Sequence, residues 1–341
     1  MNPTYLEPVE APKPKKRIFR AAAKLVWGAV AFNVWRLVPG YRPRHPEDTG
    51  LVGRVLRWVL VRSAAAITAV VAVACGLVYF GTHPTTYASG VNPGSLGLYF
   101  ESVTVPTPDG LTSEAWLVPV LDAQMVLKQK EYALGRPRPA AVLLHDFGQT
   151  REQMLSLIKP LHDAGIVVLV PAMRSSASGP AAGHTFGLNE SKDVLAAIAL
   201  IKRRAYVDEK QITLVGTGTG ATAALLAATQ DPAVRAVVVR HPFACDDIPA
   251  RLGPQPADVP GVDLAWVGNI CKWAFELGYG VDAEEINIER QTQEIGDGLL
   301  VLKPGEYLDG RAGRKTAHAV AEYFVRRLEP TTPAVADIKG N

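Results

Sequence analysis

Between Ser63 and Gly81 the chain carries no charged residue, in the run SAAAITAVVAVACGLVYFG. At about 1.5 Å rise per residue this length spans roughly the 30 Å of a bilayer's hydrocarbon core, so the pattern predicts a membrane helix. Upstream, Arg17, Arg20 and Lys24 recur at helical spacing beside Phe19, Leu25, Trp27, Phe32 and Trp35. That spacing predicts a helix lying in the headgroup layer. Residues 98–106 and 111–119 alternate apolar and polar positions around Pro108, Asp109 and Gly110. They predict an antiparallel hairpin. Downstream, continuous runs of Val, Leu and Ile predict strands at 140–144, 167–170, 212–215, 234–239 and 299–302. Helical patterns at 152–163, 190–204, 221–230 and 314–328 separate or follow them. Strands apolar on both faces alternating with helices imply an α/β domain with a mostly parallel sheet covered on both sides. Such sheets take ligands at the carboxyl ends of their strands. Residues 241–293 are irregular and hold Trp266 and Trp273, the pattern of an insertion or partial cap.

Charge changes this picture in one respect. The 341 residues carry a net charge of +3, yet residues 1–62 hold 12 Lys/Arg against four acids, which leaves the remainder net acidic. An acidic folded domain gives no footprint for nucleic acid. Arg54, Arg57 and Arg62 precede the apolar run, whereas no Lys or Arg falls between Thr82 and Leu127. That asymmetry predicts a single-pass protein of the cytoplasmic (inner) membrane, its N-terminus cytoplasmic and its C-terminal domain outside. The expected organisation is a basic arm with an interfacial helix (1–62), a transmembrane helix (63–81), a linker (82–95), the α/β domain (96–329) and a flexible tail (330–341). Cys245 and Cys271 could pair in an oxidising compartment. No Cys/His spacing suits a metal, and no cofactor is expected.

The chemistry centres on the run Gln211-Ile-Thr-Leu-Val-Gly-Thr-Gly-Thr-Gly-Ala-Thr, a strand that turns through glycines into an Ala-rich helix. It has the form of a nucleophile elbow, G-x-S-x-G, with Gly216 and Gly220 as the flanking glycines and Gly218 at the apex. Together with Leu143-Leu-His-Asp-Phe-Gly-Gln, the Thr-Pro-Asp-Gly turn with its following Trp116, and Gly187-Leu-Asn-Glu-Ser-Lys-Asp, this run resembles membrane-anchored bacterial α/β hydrolases of the esterase and serine-peptidase-like type. The resemblance covers residues 98–328 and implies an α/β-hydrolase-like sheet preceded by the transmembrane helix. It also implies positions where the catalytic parts should stand, and several hold the wrong residue. Gly218 has no nucleophilic side chain. The oxyanion loop reads His145-Asp146-Phe147-Gly148, with Asp146 where such families place glycine. Asp146 would either set its charge against a developing oxyanion or turn out to solvent. Thr217 and Thr219 flank the apex as weak substitutes. Asp309 lies near the acid's place and Tyr307 near the histidine's, depending on whether strand 299–302 bears the acid or the histidine. His184 reads as solvated, and His318 as a partly exposed structural residue.

The expected function is therefore a non-catalytic domain at the outer face of a membrane, a binding or assembly module for an unidentified ligand or protein. Two alternatives remain open at this point. One is an active serine-hydrolase-type esterase or peptidase with an unusual nucleophile. The other is an NADP-binding domain, because Gly216–Ala221 also satisfies G-x-G-x-x-G/A and Arg240 could meet a 2′-phosphate.

Overall fold

A computed structural model describes residues 51–120, 137–174, 176, 182–254, 265–303, 306 and 310–328. The basic arm before residue 51, Tyr307, Asp309 and the tail from 329 lie outside the described residues. The chain divides into two compact units, one formed by Met1–Gly81 with Ile248–Asp282, the other by Thr82–Asp247 with Ala283–Asn341.

In the first unit, helix α1 runs Leu51–Thr82. Its stretch Trp58–Thr82 is long and apolar enough to cross a membrane, and only 11% of its most apolar window is buried. Helices Asp247–Leu252 and Ala265–Tyr279 fall within the segment whose pattern was irregular.

The second unit is a sheet between two helical layers. Its strands are β1 (Glu101–Pro106), β2 (Thr112–Val118), β3 (Arg138–Leu144), β4 (Val167–Pro171), β5 (Val207–Thr217), β6 (Val234–Arg240) and β7 (Leu299–Val301). They lie in the order β1-β2-β4-β3-β5-β6-β7. β1 and β2 form the antiparallel hairpin anticipated around Asp109, and β2 also runs antiparallel to β4. All later pairings are parallel. Numbering the helices in chain order makes the two in the first unit α5 and α6. Those around the sheet are α2 (Leu155–Asp163), α3 (Leu188–Lys202), α4 (Thr219–Ala228), α7 (Ile288–Ile295) and α8 (Gly310–Arg327).

Alternation along the strands explains the layering. Val142, Leu144 and Leu214 point to one face and pack with Val194, Ile198, Ile201, Ala224 and Leu225 of α3 and α4. Leu143, Val215 and Val238 point to the other and pack with Leu157, Ile158, Leu161, Val320 and Phe324 of α2 and α8. Each fully buried Leu or Ile contributes roughly 1.5–3 kcal/mol. β5 sits inside the sheet between β3 and β6, so the turn at its carboxyl end is held from both sides. β7 is the edge strand on the side of β6, and the described residues contain no strand beyond it.

Candidate functional site

β5 ends at Thr217 and α4 begins at Thr219, so one residue, Gly218, makes the whole turn. The turn is this tight because the flanking glycines leave no room for side chains. A Cβ on Gly216 would overlap the backbone of Gly220 and Ala221, and one on Gly220 would lie 2.6 Å from the Leu144 oxygen. Gly218 itself has φ 55° and ψ −122°. That region costs a residue with a side chain on the order of 1–3 kcal/mol and is open to glycine. The backbone of a nucleophile elbow is present, with hydrogen at its apex.

The space above that apex is occupied. A Cβ placed on Gly218 would overlap the carboxylate of Asp146. Asp146 Oδ1 accepts the Phe147 N–H at 2.7 Å and the Thr219 N–H at 3.0 Å. In an acyl-transfer site the oxyanion is held by one N–H from the residue after the nucleophile and one from the loop after the third strand. Phe147 and Thr219 stand at those two positions. Asp146 therefore does not turn out to solvent; its carboxylate accepts both of these N–H groups. Hydrogen bonds to a carboxylate are among the stronger ones, which explains why the side chain turns inward.

His145 fixes the loop behind it. Its Nε2 accepts the Met173 N–H at 2.9 Å, and its Nδ1 lies 2.9 Å from the Asp146 carbonyl, to which it donates. The ring is 1% exposed, and burial pushes its pKa down to about 4. It is a neutral structural brace with both nitrogens engaged. The Asp146 N–H donates to Gln153 Oε1 at 2.9 Å, and Gly148 takes the left-handed φ of 72° that ends the loop.

His184 is the principal correction to the sequence reading. It is 1% exposed, not solvated. Phe147 and Phe186 pack around its ring, with centroids 5.0 and 5.8 Å away, and Phe243 stacks on Phe186 at 4.8 Å. His184 Nε2 lies 3.3 Å from Thr219 Oγ1, while Nδ1 lies 3.7 Å from Glu190 Oε1. Thr, His and Glu thus stand in the order of a catalytic relay. The polarity is wrong for one. The Phe186 N–H donates to Nδ1 at 2.9 Å, so in the neutral ring the proton sits on Nε2 and points at the Thr219 hydroxyl. A base must present a lone pair there instead. Burial alone would raise the Glu190 carboxyl, but neighbouring His184 and hydrogen bonds from Thr185 hold it below its ordinary value. Glu190 also accepts the Gly187 N–H at 2.9 Å, which caps α3.

Among the described residues, the other candidates do not join the site. Thr217 is 2% exposed at the end of β5, paired across the ladder with Arg240. Arg240 Nε donates to the Glu306 carbonyl at 2.8 Å. His318 is exposed on α8, as its helical position suggested, and His241 is exposed as well. Cys245 and Cys271 are free thiols, so the disulfide they could have formed is not made; Cys271 is buried on α6. One cluster had no signal in the sequence. Arg174 chelates Asp193 with Nε and Nη2 at 2.6 and 2.7 Å and reaches Asp109 with Nη1. Burial opposes its charge, yet hydrogen bonds to both carboxylates more than offset this and keep the guanidinium protonated. It ties the β1–β2 turn to α3.

Residues 122–260 match the dienelactone hydrolase family, a stretch that takes in both the elbow and the Asp146 loop. No curated protein sequence matches the chain. Among solved structures, an esterase of Pyrococcus furiosus in two crystal forms superposes with a TM-score of 0.51 in each case. It is 17% and 18% identical, over 73% and 72% of this chain and 98% and 100% of the esterase. At that identity the likeness speaks for architecture, and with the strand order it gives the chain an α/β-hydrolase fold.

Proposed function

Taking the α/β-hydrolase fold as premise, we propose that this protein is a membrane-anchored, non-catalytic member of that fold, serving as a binding or assembly module. One observation carries the reading: the Asp146 carboxylate fills the space of a nucleophilic side chain and bonds both donors that an oxyanion would need. Catalysis requires those donors to be stronger partners of the transition state than of the resting site. Here an internal carboxylate holds them before any substrate arrives. The same carboxylate sits at the N-terminus of α4, where a dinucleotide's pyrophosphate would have to bind, and this argues against the NADP reading. The anchor is α1, with Arg54, Arg57 and Arg62 on the cytoplasmic side and the α/β unit outside.

Treatment of the purified full-length protein with a fluorophosphonate probe, alongside short-chain ester turnover, tests the proposal. Neither labelling nor turnover above a heat-denatured control is expected. Turnover that disappears on substitution of a residue at the elbow would overturn it. A second reading, a threonine-dependent hydrolase, draws on the order of Thr219, His184 and Glu190 and requires the proton of His184 to move to Nδ1, which now accepts the Phe186 N–H. Labelling of wild type lost in Thr219→Val would establish that reading in place of the first.

A further inference from the structure

We infer that a cavity beside the β1–β2 hairpin binds a small neutral molecule presenting a carbonyl acceptor on an apolar body, as an aryl or alkyl amide does. The inference goes beyond the elbow and does not rest on its being inert. The cavity measures about 240 Å³ and lies within the second unit, walled by residues of segment 88–92, by Phe100 and Ser102, by Trp116 of β2, and by Thr150 and Arg151 after β3. None of these belongs to the elbow or to the loop 146–148. A volume below the ~300 Å³ at which pockets for drug-sized ligands begin suits a fragment-sized molecule. The wall made by segment 88–92 is pinned in place. Glu152 accepts the Ser89 N–H at 3.1 Å, the Ser89 hydroxyl at 2.8 Å and the Gly90 N–H at 2.9 Å.

Arg151 says what the cavity should hold. Its side chain is 9% exposed, its Cζ lies over the Trp116 ring 4.5 Å from the centroid, and its Nη2 donates to Glu114 Oε2 at 3.3 Å. Nη1 is buried and has no hydrogen-bond partner among the described residues. A guanidinium keeps its proton, and a buried donor without an acceptor costs free energy that an oxygen on a ligand would recover. The charges nearby decide which oxygen. Glu114 on Nη2 and Glu152 on the cavity wall already set two carboxylates beside this one guanidinium. A further carboxylate or phosphate would deepen that negative balance, while a cation would meet the guanidinium and a Glu152 carboxylate already engaged by Ser89 and Gly90. A neutral carbonyl accepts from Nη1 without either cost. Asn92 commits its Oδ1 to the Gly94 N–H at 3.0 Å, which leaves its amide nitrogen as a second donor on the wall. Phe100 and Trp116, edge to face with centroids 6.3 Å apart, supply the apolar surface.

Titration of the full chain in phosphatidylcholine nanodiscs with benzamide tests this, with benzoate and benzylamine as its anionic and cationic counterparts. Binding is read by saturation transfer from protein to probe, against empty nanodiscs. Wild type should bind benzamide about tenfold more tightly than either charged probe. Arg151→Met removes the donor, and Ser102→Trp fills the cavity from an exposed position on β1 while leaving Arg151 in place. Each should weaken benzamide binding by about tenfold, the worth of one hydrogen bond from a charged donor. Absence of benzamide binding to wild type would overturn the inference. So would binding unchanged in Ser102→Trp, a result that stands even if Arg151→Met does not fold. Benzoate or benzylamine binding as tightly as benzamide would overturn it too, because the choice of a neutral ligand would then be wrong. All of these outcomes leave the reading of the elbow to the fluorophosphonate experiment.

Discussion

The turn at Gly218 and the loop at Asp146 touch, yet they present opposite things to the space between them. The turn has a tight glycine backbone and no side chain at its apex. The loop sends in a carboxylate that accepts the Phe147 and Thr219 N–H groups. The elbow's shape follows from packing: Gly216 and Gly220 let α4 close against β3 and β5, whatever the apex residue is. A nucleophile-elbow backbone is thus evidence about the sheet, and only the side chains around it are evidence about chemistry.

The largest effect should come from putting a side chain back at the apex. Gly218→Ser meets the Asp146 carboxylate and adopts a backbone region costly for serine, so a loss of about 4 kcal/mol is expected in urea unfolding. A loss below about 1 kcal/mol would show that Asp146 swings away freely.

Acid should act next, and on the loop. The folded-state pKa of His145 is lowered to about 4 from an ordinary value of 6.5, so its contribution is present above pH 6.5 and lost as pH falls toward 4. Protonation would charge a buried ring and cost it the Met173 N–H. The loss should be on the order of 3 kcal/mol at its fullest, read as a falling melting temperature between pH 6.5 and 4. His145→Gln should flatten that slope. An unchanged slope would detach His145 from the bracing of the loop.

A smaller effect is expected for Asp146→Ala, about 2 kcal/mol, because the Phe147 and Thr219 N–H groups lose their acceptor. The vacated donors should then take acetate or phosphate, raising the melting temperature of Asp146→Ala but not of wild type. Equal stabilisation of both proteins would place the anion elsewhere.

Much of this was readable from the sequence. Runs of Val, Leu and Ile marked the strands because a strand buried on both faces tolerates little else, and Pro108-Asp109-Gly110 marked the hairpin. Gly216, Gly218 and Gly220 gave the turn and an apex without a side chain. The inward turn of Asp146 was not readable, because one of its two donors comes from Thr219, 73 residues away. His184 misled for a related reason. Its Gly- and Ala-rich loop reads as solvated, but Phe147, Phe186 and Phe243 arrive from three segments to bury it. Phe186 even holds a left-handed φ of 54° there, a conformation no local pattern announces.

The occupancy of the apex by Asp146 is tested most directly by a double-mutant cycle on unfolding free energy, with Gly218→Ser, Asp146→Gly and the pair. If the carboxylate stands where the new side chain must go, Asp146→Gly relieves much of the Gly218→Ser penalty, and the pair is more stable than the sum of the single losses by about 2 kcal/mol or more. Additive losses would mean that the two positions do not share that space, and the non-catalytic reading would lose its physical basis.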